Sequence, residues 1–103
     1  MISEFNYPDR DWQLFITKVD LAYYLKFIKK FEIATKPIEK KSSFWHETIT
    51  EYDLKKIENN KIRIEYSEEI VTIMFTENSD YESRQFLKAV AQTIADELNN
   101  DNP

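Results

Sequence analysis

His46 is the chain's one histidine, and so the first place to look for an acid–base catalyst at neutral pH. Glu47, Glu51 and Asp53 follow closely and are of the type that orients an imidazole. If the segment is extended, however, Glu47 falls on the opposite side from His46. A histidine base in ester or phosphodiester hydrolysis also wants a second histidine, a lysine or a placed nucleophile. The favoured reading is therefore a structural or interface histidine beside Trp45. The run Glu77-Asn78-Ser79-Asp80-Tyr81-Glu82 alternates oxygen donors as a calcium loop does. It lacks the glycine at the sharp turn and the distant bidentate glutamate of an EF-hand. A capping box from Ser79 to Glu82 explains the same residues without a metal.

The 103 residues include no glycine and no cysteine. Without glycine there is no Walker loop, dinucleotide fingerprint or kinase-type phosphate loop, and no hydrolase nucleophile elbow. Without cysteine there is no thiol catalysis, disulfide or cysteine-ligated zinc. No cofactor and no enzymatic activity are expected.

Binding is the better prospect, and charge is where it shows. The formal charge of −5 is unevenly distributed. Lys26 to Lys41 holds six lysines against Glu32 and Glu39, a local excess of +4. Ile62 to the end holds nine acids against Arg63, Arg84 and Lys88, an excess of −6. The lysine segment, with Phe44, Trp45 and His46 nearby, has the ingredients of a single-strand nucleic-acid site. The acidic total weighs against it, and Lys26, Lys29 and Lys30 also suit a solvated helix face. In the acidic half, Glu65, Glu68 and Glu69 lie around a hairpin tip, and Glu77, Asp80 and Glu82 at a helix start. Brought together, they would form an acidic rim that steers a basic partner. Tyr66, Tyr81 and Trp45 are the candidate aromatic anchors, since Tyr and Trp dominate binding hot spots.

The elements that would position these groups are read from periodicity. Phe86, Leu87, Val90, Ile94 and Leu98 recur at helical spacing, predicting a helix from about Asp80 to Leu98. Before it, a hairpin with Glu68-Glu69 at its tip pairs Ile62 with Phe75, Ile64 with Ile73 and Tyr66 with Val71, placing all six on one side. Either a two-residue turn or a four-residue loop from Ser67 to Ile70 keeps that register. Trp12 to Thr17 reads as a strand, with Asp20 capping a helix from Leu21 to about Glu32 and Leu21, Tyr24, Leu25, Ile28 and Phe31 inward. The rival is one long helix from Asp9 to Phe31. Phe44 to Ile49 reads as a strand, Thr50 to Asn60 as a short helical turn, and Ala34 to Ser43 as a loop. An N-terminal arm runs to Pro8 and a frayed tail covers 99–103.

The expected architecture over residues 1–103 is a single α+β domain, ordered β-α-β-(short α)-β-β-α. Three or four antiparallel strands would carry two main helices on one face. Met1 to Asn6 has neither the basic leader nor the apolar core of a signal peptide, and a cytoplasmic location is expected. The functional expectation is a small, acidic, non-catalytic protein-binding module. Its concrete form is a stoichiometric inhibitor of the immunity-protein or antitoxin type, binding a basic partner such as a nuclease toxin. The alternatives are a structural or adaptor homo-oligomer and nucleic-acid binding through Lys26 to Lys41.

Overall fold

A computed structural model describes residues 2–5, 12–42, 49–54, 61–76 and 79–100. Strands β1 (Ile2–Phe5) and β2 (Gln13–Thr17) precede helix α1 (Leu21–Thr35). Strands β3 (Glu39–Ser42), β4 (Ile49–Asp53), β5 (Lys61–Ser67) and β6 (Ile70–Phe75) follow, and helix α2 (Tyr81–Asn100) closes the chain. The six strands make one antiparallel sheet in the order β1-β2-β6-β5-β4-β3. Both helices cover the same face, so the α+β class is as expected. The strand count and element order are not.

The β5–β6 hairpin has the register that the apolar pattern demands: Ile62 opposite Phe75, Ile64 opposite Ile73, Tyr66 opposite Val71. Those residues, with Leu14, Ile16 and Tyr52, face the helices. Tyr24, Phe27, Phe31, Leu87, Ala91 and Ile94 come down from above to close the core. The strand-plus-helix reading of residues 12–35 also holds. The Asp20 carboxylate accepts from the Tyr23 N–H at 2.8 Å, capping α1. The inward face of α1 is centred on Tyr24, Phe27, Ile28 and Phe31. Leu21 and Leu25, expected inside, are 52% and 58% exposed. The large rings set the helix phase and turn the two leucines outward.

Three local expectations give way to tertiary pairing. Ile2–Phe5, within the expected arm, is an edge strand. The Trp12 indole donates to the Glu4 carboxylate at 2.7 Å, and the Phe5 ring meets Phe15 edge-on at 5.2 Å. Glu39–Ser42, expected as loop, is the opposite edge strand. All four of its residues are exposed, so no apolar alternation announces it, and its lysines suit an edge that must not recruit further strands. Thr50–Asp53 is strand rather than helical turn, because Thr50 and Tyr52 are buried at a period of two. Residues 43–48 and 55–60, with the rest of those expected elements, lie outside the described residues. At α2 the cap is Asp80, not Ser79: its carboxylate accepts from the Ser83 N–H at 2.7 Å. The Ser79 hydroxyl instead accepts from Arg84 Nε at 2.8 Å. No helix among the described residues is long and apolar enough to cross a membrane.

A chain without glycine still needs left-handed backbone. Lys18 (φ 61°), Lys36 (φ 47°), Glu68 (φ 51°) and Glu69 (φ 64°) supply it at the β2–α1 turn, the α1 C-cap and the hairpin tip. Two consecutive residues in that region define the two-residue hairpin turn normally built from Asn-Gly. Each non-glycine residue there costs about 1 kcal/mol or more. The double substitution Glu68→Asn with Glu69→Gly is therefore expected to stabilise the fold by about 1–2 kcal/mol, read as a raised denaturation midpoint. No rise would show that the tip is held by contacts specific to the glutamates.

Candidate protein-binding face

The described acidic residues singled out in the sequence, Glu65, Glu68, Glu69, Asp80 and Glu82, do not gather into one rim. Glu68 and Glu69 occupy the hairpin tip, while Asp80 and Glu82 start α2 beyond the other end of β6. The six-residue β6 puts roughly 17 Å between those ends. Asp80 is engaged as a helix cap, and the Ser83 N–H holds its carboxyl below the usual carboxylate range. Glu65 lies within β5 and pairs with Arg63 at 3.5 Å. Tyr66 is structural: its ring stacks on Tyr24 at 5.0 Å and its hydroxyl donates to the Val19 carbonyl at 2.9 Å. The Val19 N–H in turn donates to the Glu69 carbonyl at 3.1 Å, fastening the hairpin tip to the β2–α1 turn. Tyr81, 72% exposed, stands on the first turn of α2. Trp45, His46 and Glu77 lie outside the described residues.

The lysine segment is divided between two elements. Lys26, Lys29 and Lys30 are on α1, and Lys40 and Lys41 alternate across edge strand β3. Lys30 pairs with Glu97 at 3.1 Å and Lys40 with Glu32 at 3.2 Å, so part of the positive charge is neutralised within the chain.

What the topology does assemble is the sheet face that carries no helix. The registers place Phe5, Gln13, Met74, Arg63, Glu51 and Lys41 side by side in one row across all six strands. The next row is Ser3, Phe15, Thr72, Glu65 and Ile49. Thr17, Ile70 and Ser67 begin a third. The face is thus split between β6 and β5. On β1, β2 and β6 it is uncharged, with Phe5, Phe15, Ile70 and Met74 set diagonally among Ser3, Gln13, Thr17 and Thr72, and with Phe15 half-buried. On β5, β4 and β3 it is charged. An open antiparallel face ordinarily alternates to polar residues, so four large apolar side chains grouped on the uncharged half are an unusual feature for a surface bathed in water.

The charged half is organised around Arg63. Its guanidinium meets Glu51 at 3.2 Å on one side and Glu65 at 3.5 Å on the other. The pairs leave its buried Nε without a hydrogen-bond partner. Beyond it lies a shallow notch of about 220 Å³, lined by Glu39, Lys41, Glu51, Tyr52, Asp53 and Lys61. Counting the tip residues, this half carries six acids against Lys41, Lys61 and Arg63. Among the described residues, no group of three His, Asp or Glu side chains is placed to hold a metal ion.

Phe15, Ile70 and Met74 were not singled out by the sequence. The signal was present in β2, where Leu14-Phe15-Ile16 is apolar on both faces of a strand that needs only one for the core. No family model, curated protein or solved structure matches the chain.

Proposed function

We propose that the chain is a small, non-catalytic protein-binding module that docks a partner on its helix-free sheet face. The observation that carries this reading is the split face itself, an apolar patch flanked by a net-negative half. Interfaces combine an apolar centre, which supplies most of the affinity, with a polar rim that fixes orientation. The complementary partner presents an apolar knob beside a basic surface. A stoichiometric inhibitor of the immunity-protein or antitoxin kind, occupying the basic groove of a nuclease toxin, is the concrete form. The non-catalytic part of the reading rests on the sequence, which lacks glycine and cysteine and offers His46 no evident catalytic partner. No cofactor is invoked.

The partner is to be captured from native lysate and identified by mass, then its association rate measured across salt concentrations. The double reversal Glu68→Lys with Glu69→Lys keeps long side chains at two left-handed positions, a conformation Lys18 and Lys36 already adopt. It is expected to slow association by about tenfold at low salt and to flatten the salt dependence. An unchanged association rate sinks the electrostatic half of the reading.

A further inference from the structure

On the opposite side of the molecule, α1 and α2 run antiparallel, and the seam between them faces away from the sheet. Lys30 reaches Glu97 across it at 3.1 Å. Nearer the other end of the pair, Ile33 and Ala34 share an apolar groove of about 400 Å³ with Phe86, Ala89 and Val90. Ile33 is 68% exposed. A β-branched side chain that exposed, beside a groove with apolar walls, is poorly matched to water.

The charge along this layer is segregated by helix. Lys26 and Lys29 project from α1, whereas Asp96 and Glu97 project from α2, and all four are exposed. The Lys30–Glu97 pair and the groove contacts set the height: Lys29 stands level with Asp96, and Ile33 with Val90 and Thr93. A rotation of 180° about a line along the seam lays α1 of one molecule over α2 of another without changing height. It therefore brings Lys29 of each copy to Asp96 of the other, and each Ile33 over the other copy's Ala89, Val90 and Thr93. Basic meets acidic and apolar meets apolar from a single self-complementary operation.

We propose that the α1–α2 layer is the interface of a homodimer, two copies packing their helices face to face about an axis along the seam. The helices have 15 and 20 residues, so the shared face is roughly 22 Å long and 20 Å wide, or about 900 Å² for the pair. That is below the standard interface size and in the class of weak, transient associations. The inference is independent of the sheet-face reading, because it uses the other side of the molecule.

Sedimentation from roughly 5 to 500 µM tests it, with circular dichroism confirming that each variant is folded. The weight-average mass is expected to climb from 12.4 kDa toward twice that value. Ile33→Glu is expected to hold the protein monomeric throughout. Lys29→Glu and Asp96→Lys, taken singly, should each weaken the dimer by about fivefold or more, and together restore it to within about twofold of the parent. A parent that stays monomeric to the highest concentration overturns the proposal, leaving the groove to a different occupant. So does a dimer indifferent to Ile33→Glu, or a reversed pair that fails to rescue, since either outcome places self-association on another face.

Discussion

Replacing Trp12 with alanine is expected to lower stability by about 3–5 kcal/mol, a large fraction of the roughly 5–15 kcal/mol typical of a domain. Trp12 is 1% exposed and its ring lies 5.7 Å from Phe75. Its indole N–H donates to Glu4 at 2.7 Å, and Glu4 also pairs with Lys88 of α2 at 3.3 Å. One side chain therefore fills core volume and links edge strand β1 to the rest of the sheet. Trp12→Phe keeps most of the volume and loses only the hydrogen bond, so about 1–2 kcal/mol is expected. Amide protection should then be lost selectively in Ile2–Phe5. The same contact fixes a pH dependence. The Trp12 hydrogen bond, opposed by partial burial and reinforced by Lys88, holds the Glu4 carboxyl below its ordinary value of 4.5. A carboxyl lowered by folding contributes stability that is full above its unfolded value and is lost as pH falls through the folded one. Glu4→Gln should flatten the decline below about pH 4.5 while leaving the shape of the curve above it unchanged. A denaturation midpoint for Trp12→Ala within about 0.5 kcal/mol of the parent would show that the ring is not part of the core.

The features readable from sequence were those in which one local rule decides the outcome. The hairpin register followed from apolar residues that a one-residue slip would scatter. The α1 start followed from Asp20 standing before the first helical turn. The edge strands were not readable in this way. Glu39–Ser42 is strand only because β4 offers it backbone partners, and Ile2–Phe5 is strand because β2 does the same, with Trp12 holding Glu4. Leu21 and Leu25 satisfy the helical period, but periodicity alone does not decide between them and Phe27, and the bulkier ring wins the core. The expected acidic rim is divided for a geometric reason: a hairpin tip and the helix that follows the hairpin lie at opposite ends of the last strand. The split sheet face was half visible. The register put Met74 beside Arg63 and Thr72 beside Glu65, but without β2 and β1 alongside, Met74 had no apolar neighbours.

Phe15→Glu is expected to weaken partner binding by roughly 30-fold or more, the effect of losing a residue at the centre of an interface. Phe15 stands in the uncharged half, diagonal to Phe5, Ile70 and Met74, with Gln13 and Thr17 along its strand and Ser3 and Thr72 directly across the sheet. A carboxylate there places an unpaired charge where the partner's apolar contact would have to seat, so the loss should appear mainly as faster dissociation. Folding should be little affected, because the side chain is only half-buried and its main ring contact is Phe5. Ile33→Glu supplies the internal control. It lies on the helix layer, so it should abolish self-association yet leave the one-to-one affinity for this partner unchanged. If the helices pair, both sheet faces point outward, and the assembly carries two partners at once in a two-to-two complex. Should Phe15→Glu bind as the parent does while Ile33→Glu does not, the partner sits on the helices, and the sheet face is no interface at all.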